Sequence, residues 1–86
     1  MKRSVHSDLN KYKASWKTRH EVNSTIQQLK DKLTALQKSR NKELKKCSTE
    51  DEKAAVRSRY DNDIKRTDFM LYLINLEYYE IMGKLK

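Results

Sequence analysis

Apolar residues recur every three or four positions along most of the chain and are densest in residues 69–82, whose sequence is FMLYLINLEYYEIM. This spacing is the pattern of an amphipathic helix. One set of the positions forms a heptad repeat, which places apolar side chains on one side of a helix and buries them against a neighbouring helix. The set consists of Tyr60, Ile64, Thr67, Leu71, Ile74, Tyr78, Ile81 and Leu85.

A second apolar set in the same segment lies off the heptad repeat. Only Asn75, Glu77 and Glu80 are charged or strongly polar there, so apolar residues are denser than one helix face can hold. The pattern therefore predicts a helix that is buried from two sides, as core rather than as a ligand site. The second set consists of Phe69, Leu73, Leu76 and Met82.

The first half of the chain carries a similar repeat, which predicts one long helix over about residues 5–47. Twelve steps from Val5 to Cys47 average 3.5 residues if Arg19 and Arg40 fill two gaps in the apolar pattern. The other members of the repeat are Leu9, Tyr12, Trp16, Val22, Ile26, Leu29, Leu33, Leu36 and Leu44.

An alternative breaks this helix at residues 20–25. Ser24 with Gln27, and Thr25 with Gln28, have the spacing of a capping box, in which a helix begins. A break there would give a three-helix bundle. The stretch contains no glycine or proline to make the turn, which favours the continuous helix.

The sequence KKCSTEDE predicts a tight turn at residues 47–49. Lys45 and Lys46 would end one helix and acidic residues would begin the next, so that each charge stabilises the nearby helix dipole. Thr49 and Glu52 have capping-box spacing. A second helix is therefore predicted over about residues 50–85, and residues 1–86 are predicted to form a single helical domain.

A chain reversal at this turn would give a long, antiparallel, coiled-coil-like helical hairpin that covers one side of residues 69–82. The other side would be exposed apolar surface, which marks an interface. Closure of two hairpins into a homodimeric four-helix bundle is the simplest way to bury it. The predicted partner interface consists of Phe69, Leu73, Leu76, Tyr79 and Met82.

Composition favours an all-α fold. The 86 residues include one glycine and no proline, too few for the turns of a β-sheet protein. Hydrophobic residues make up 36% of the chain and charged residues 37%, which is lean for a globular monomer and favours an oligomer or an elongated shape.

The cysteine content and the N-terminus predict an intracellular protein, either cytoplasmic or, in a eukaryote, nuclear. Cys47 is the only cysteine, and it lies far along the chain from His6 and His20, so neither a disulfide nor a metal site is predicted. The first residues lack the apolar segment of a signal peptide. Residues 69–82 are too short and too polar for a membrane span, which needs about 20 apolar residues.

Positive charge is concentrated in the first half of the chain. Residues 1–47 contain 13 Lys or Arg and 4 Asp or Glu, a net charge of +9, whereas residues 48–86 contain 7 and 8, a net charge of −1. Uncompensated lysines along an extended helix would form a positive ridge suited to a polyanion such as a nucleic-acid backbone or an acidic protein face. The alternative is an ordinary solvated surface. The candidate ridge contains Lys11, Lys13, Lys17, Lys30, Lys38, Lys42, Lys45 and Lys46.

Nothing in the sequence predicts an enzyme or a cofactor. His20 and Glu21 are adjacent and would point in different directions on a helix, and no phosphate-binding loop is present. The leading hypothesis is a helical interaction protein that self-associates through residues 69–82 and acts as an adaptor, inhibitor or assembly factor. The second is a nucleic-acid-binding protein that uses the basic first arm without sequence specificity.

Overall fold

The computed structural model describes residues 5–85 and is helical throughout that range apart from short connections, which confirms the predicted all-α fold. The described residues form α1 (Val5–Ser15), α2 (Arg19–Lys46), α3 (Glu50–Leu76) and α4 (Tyr78–Gly83). The molecule is elongated and measures 52 × 26 × 18 Å.

α3 is the central helix. It packs along α2 in antiparallel orientation: Glu43 near the end of α2 contacts Arg59 early in α3, and Asn23 near the start of α2 contacts Tyr78, the first residue of α4. α1 folds back and packs mainly against α3. Residues from the last part of α3 are therefore covered by two different helices of the same chain.

The prediction of one continuous helix over residues 5–47 is wrong, because the chain turns at residues 16–18. The break also lies before the range 20–25 that the alternative considered. Its physical cause is a capping box: the Thr18 hydroxyl accepts a hydrogen bond from the Glu21 N–H at 3.3 Å, and the Glu21 carboxylate accepts one from the Thr18 N–H at 3.1 Å. These bonds satisfy N–H groups that a helix start leaves free.

The connection between α2 and α3 uses the same device at residues 47–49, where the turn was predicted. The Thr49 hydroxyl accepts a hydrogen bond from the Glu52 N–H at 3.2 Å, and the Ser48 N–H donates to the Glu52 carboxylate at 3.3 Å. Both turns therefore place a threonine at the N-cap and a glutamate three residues later, and neither uses glycine or proline.

The predicted second helix over residues 50–85 is divided at Glu77, whose backbone angles are φ −100° and ψ 8°. The Glu77 N–H still donates to the Leu73 carbonyl at 3.1 Å, and the Ile81 N–H donates to the Glu77 carbonyl at 2.9 Å. Hydrogen bonding of helical type thus continues on both sides of this single residue.

The main hydrophobic core lies at the end of the molecule where α1, α4 and the end of α3 meet the start of α2. Trp16, in the connection between α1 and α2, is 6% exposed, and its indole N–H donates to the Thr25 hydroxyl at 3.0 Å. Two ion pairs tie α1 to this end: Asp8 with Arg66 at 3.0 Å, and Lys13 with Glu77 at 2.6 Å. The buried members of the core are Leu9, Trp16, Val22, Met70, Leu73, Ile74 and Ile81.

Candidate interaction surfaces

The segment 69–82 is covered on two sides, but the second side is covered by α1 of the same chain. Leu73 is 7% exposed and belongs to the core. Met82 is half-buried and packs against the same core. The prediction that Leu73 lies on an intermolecular face is therefore corrected, because α1 folds back onto α3 and the core takes up its side chain. For Met82, which stays partly exposed, the assignment to an interface remains a prediction.

Four large side chains in this segment remain exposed and follow one face of α3 into α4. Their exposed fractions rise along the chain: 41% for Phe69, 58% for Tyr72, 67% for Leu76 and 89% for Tyr79. Residues spaced by three and four positions share a helix face. We call Phe69, Tyr72, Leu76 and Tyr79 the aromatic stripe.

Ring contacts order the start of the stripe. Phe69 and Tyr72 stack with ring centroids 6.2 Å apart, and His6 of α1 lies edge-on to Phe69 at 5.9 Å. Tyr72 was not among the predicted interface residues. Its position, three residues after Phe69 and four before Leu76, was the signal that could have identified it.

The lysines of the first arm do not form one continuous ridge, because α1 turns back at residues 16–18. Lys13 pairs with Glu77, with 2.6 Å between Nζ and Oε1. The prediction that Lys13 is an uncompensated cation is therefore wrong. Lys38, Lys42 and Lys45 lie at helical spacing on α2, are exposed, and form no ion pair within residues 5–85. The remaining predicted members, Lys11, Lys17, Lys30 and Lys46, are also exposed.

A polar cluster links α2 to α3 near the turn. Glu43 accepts a hydrogen bond from the Arg59 guanidinium at 2.8 Å. The hydroxyl of Tyr60 and the guanidinium of Arg59 lower the pKa of the Glu43 carboxyl, and the hydrogen bond to Glu43 raises the pKa of Tyr60. The cluster joins two helices through the half-buried side chains of Glu43 and Tyr60, so its evident role is structural.

An open cleft of about 460 Å³ separates α1 from α2, with α3 as its floor. Tyr12, Leu29 and Met70 supply apolar surface, and Lys11 and Lys32 lie on its rim. The cleft exists because α1 packs mainly against α3. The side of α1 that faces α2 is therefore partly open.

Within residues 5–85, no group of three or more His, Cys, Asp or Glu side chains could hold a metal ion. Cys47 is half-buried in the turn, and its thiol donates to the Glu43 carbonyl with an Sγ–O distance of 3.3 Å. No helix in this range is long and apolar enough to cross a membrane.

Comparison with known proteins finds no matching family model, no matching curated protein and no matching solved structure.

Proposed function

We propose that the protein is a non-catalytic helical interaction protein that self-associates through the aromatic stripe and acts as an adaptor, inhibitor or assembly factor. The observation that carries this proposal is the exposure of Phe69, Tyr72, Leu76 and Tyr79 on one helix face. Aromatic residues are enriched at protein interfaces and supply much of their binding energy. Contiguous exposed apolar surface of this kind is typical of an interface.

A second copy fits the stripe for a geometric reason. Two α3 helices packed antiparallel across a two-fold axis would each present the same residues to the other, which is the commonest form of homodimer. The stripe spans residues 69–79 and is about 15 Å long at 1.5 Å per residue. So short an interface implies weak association at micromolar concentrations.

The test of this proposal is the mass of the protein in solution after charge is placed on the stripe. Tyr72→Lys with Leu76→Lys should convert dimers to monomers, because each lysine would have to be desolvated in the interface. Helical circular dichroism should be retained, since both side chains are exposed.

The matched control is Gln37→Lys with Asn41→Lys, which adds the same charge at exposed positions of α2, a different helix from the one that carries most of the stripe. The control should dimerise like the wild type. Equal mass for the stripe variant and the wild type would reject the stripe as the contact surface.

A second candidate function, binding to a nucleic-acid backbone without sequence specificity, rests on the lysines of α2. Lys38, Lys42 and Lys45 share an exposed stretch of this helix and have no ion-pair partner within residues 5–85. Cations so placed release counterions from a duplex when they neutralise phosphates.

Salt dependence tests this second candidate. Replacing Lys38, Lys42 and Lys45 by Gln should weaken binding to unrelated duplexes equally and make the slope of log affinity against log salt shallower by up to about 3. The control replaces three lysines that already have carboxylate partners, Lys13, Lys53 and Lys65. Equal effects of the two triple variants would mean that the net charge of the protein, and not these three lysines, accounts for the binding.

A further inference from the structure

The contacts of α1 suggest a way in which two copies could exchange this helix. α1 has 11 residues, and a helix of that length is marginal in water without packing. It is held by Leu9 in the core and by the ion pairs Asp8–Arg66 and Lys13–Glu77. These tertiary contacts are made to α3 and to Glu77, and the cleft leaves the side facing α2 open.

The connection between α1 and α2 can also be helical. Residues 16–18 include neither glycine nor proline, and the apolar spacing of Leu9, Tyr12 and Trp16 continues in phase with Val22 and Ile26. A helix through the connection would therefore keep one apolar side. What opposes it is the capping box of Thr18 and Glu21, which stabilises a helix start at Arg19.

Straightening the connection would leave two complementary surfaces uncovered. Arg19 already donates hydrogen bonds to the carbonyls of Met82 and Leu85, at 3.0 and 3.1 Å, so a straight α1 would project beyond Leu85. Its Leu9 would lose its core contacts, and Leu73 of α3 would lose its cover. Each surface is the natural partner of the other on a second copy.

We infer that the chain forms an exchanged dimer, in which α1 and α2 join into one helix and each α1 packs against α3 of the other copy. Every contact that α1 makes in the monomer is then remade between chains, and two-fold symmetry closes the assembly. The exchange uses the side of α3 that carries Leu73 and Arg66 and does not rest on the aromatic stripe.

Cross-linking between two single-cysteine chains tests the exchange. Asp8→Cys and Arg66→Cys, each in a Cys47→Ser background, are unfolded together, refolded as a mixture and treated with a short bismaleimide. Position 8 of one chain meets position 66 of the other only where α1 has been exchanged, so the product is a covalent heterodimer identified by mass. One chain that carries both cysteines shows that the two sites lie within reach of the reagent.

Substitutions in the connection between α1 and α2 should raise or lower the amount of exchanged dimer. Thr18→Ala with Glu21→Ala removes the capping box once per chain and should raise the dimer association constant by on the order of 30-fold. Lys17→Pro prevents a helix through the connection and should abolish the heterodimer product. The matched control is Thr49→Ala with Glu52→Ala, which removes the equivalent cap from the other turn and should not raise the yield of this product.

The heterodimer product, formed with the natural connection or with the Thr18 and Glu21 variant, supports the exchange if Lys17→Pro abolishes it. The exchange is overturned if neither the natural connection nor the Thr18 and Glu21 variant gives the product, or if Lys17→Pro gives as much product as the natural connection. A dimer by mass that gives no product, and that the lysine variants of the stripe dissociate, rejects the exchange and leaves the proposed function standing. If the cross-linked product still forms when both chains also carry the lysine substitutions of the stripe, the result supports the exchange and rejects the stripe as the contact surface.

Discussion

Two threonines fix where α2 and α3 begin. Thr18 and Thr49 each accept a hydrogen bond from the N–H of the glutamate three residues later. Pairing of Thr49 with Glu52 predicted the second turn from the sequence. Thr18 and Glu21 show the same signal, but the heptad spacing runs in phase across residues 16–18, and a periodicity that resumes after a turn conceals the turn.

Loss of the Thr49 hydroxyl should destabilise the protein. We expect Thr49→Ala to lower the free energy of unfolding by about 1 kcal/mol, because an N-cap hydrogen bond is lost. Ser48→Ala is the control, since Ser48 contributes its backbone N–H to the turn. Urea denaturation measures both, and equal losses for the two variants would show that the Thr49 cap is not what stabilises the helix start.

The Glu43 cluster should make part of the stability depend on pH. Hydrogen bonds from Tyr60 and Arg59 lower the pKa of Glu43 below 4.5 in the folded protein, so its contribution is present above pH 4.5 and is lost as pH falls through the lowered value. Glu43→Gln should therefore be less stable than wild type at pH 6, and the difference should shrink towards pH 3. A difference that does not change with pH would exclude this linkage.

At the scale of the helices, α1 decides which apolar residues are left for a partner. The sequence predicted a segment at 69–82 buried from two sides, and the structure covers it from two sides. An apolar pattern does not tell whether the covering helix belongs to the same chain. For that reason Leu73 was assigned to a partner interface, whereas the exposure of Leu76 and Tyr79 left both available for one.

Docking of α1 should contribute measurably to stability. Leu9 is 2% exposed and is the buried apolar residue that α1 adds to the core. Leu9→Ala should lower the free energy of unfolding by about 2 to 5 kcal/mol through lost burial and a residual cavity. Asn10→Ala, at an exposed position of the same helix, is the control and should have little effect. Similar unfolding midpoints for both variants would mean that α1 does not dock as described.

At the scale of the whole molecule, the buried apolar side chains are concentrated at one end. The core joins α1, α4, the end of α3 and the start of α2, while the end near the second turn buries only Val56 among its apolar side chains in the described range. An elongated chain with 36% hydrophobic residues would gain stability if it buried further surface against a second copy. Both the proposed function and the helix exchange therefore require self-association.

Sedimentation equilibrium of the wild-type protein, from low to high micromolar concentration, measures this self-association. We expect the mass to rise from that of one chain to that of two. A single-chain mass that persists at the highest concentration would contradict both the stripe dimer and the exchanged dimer.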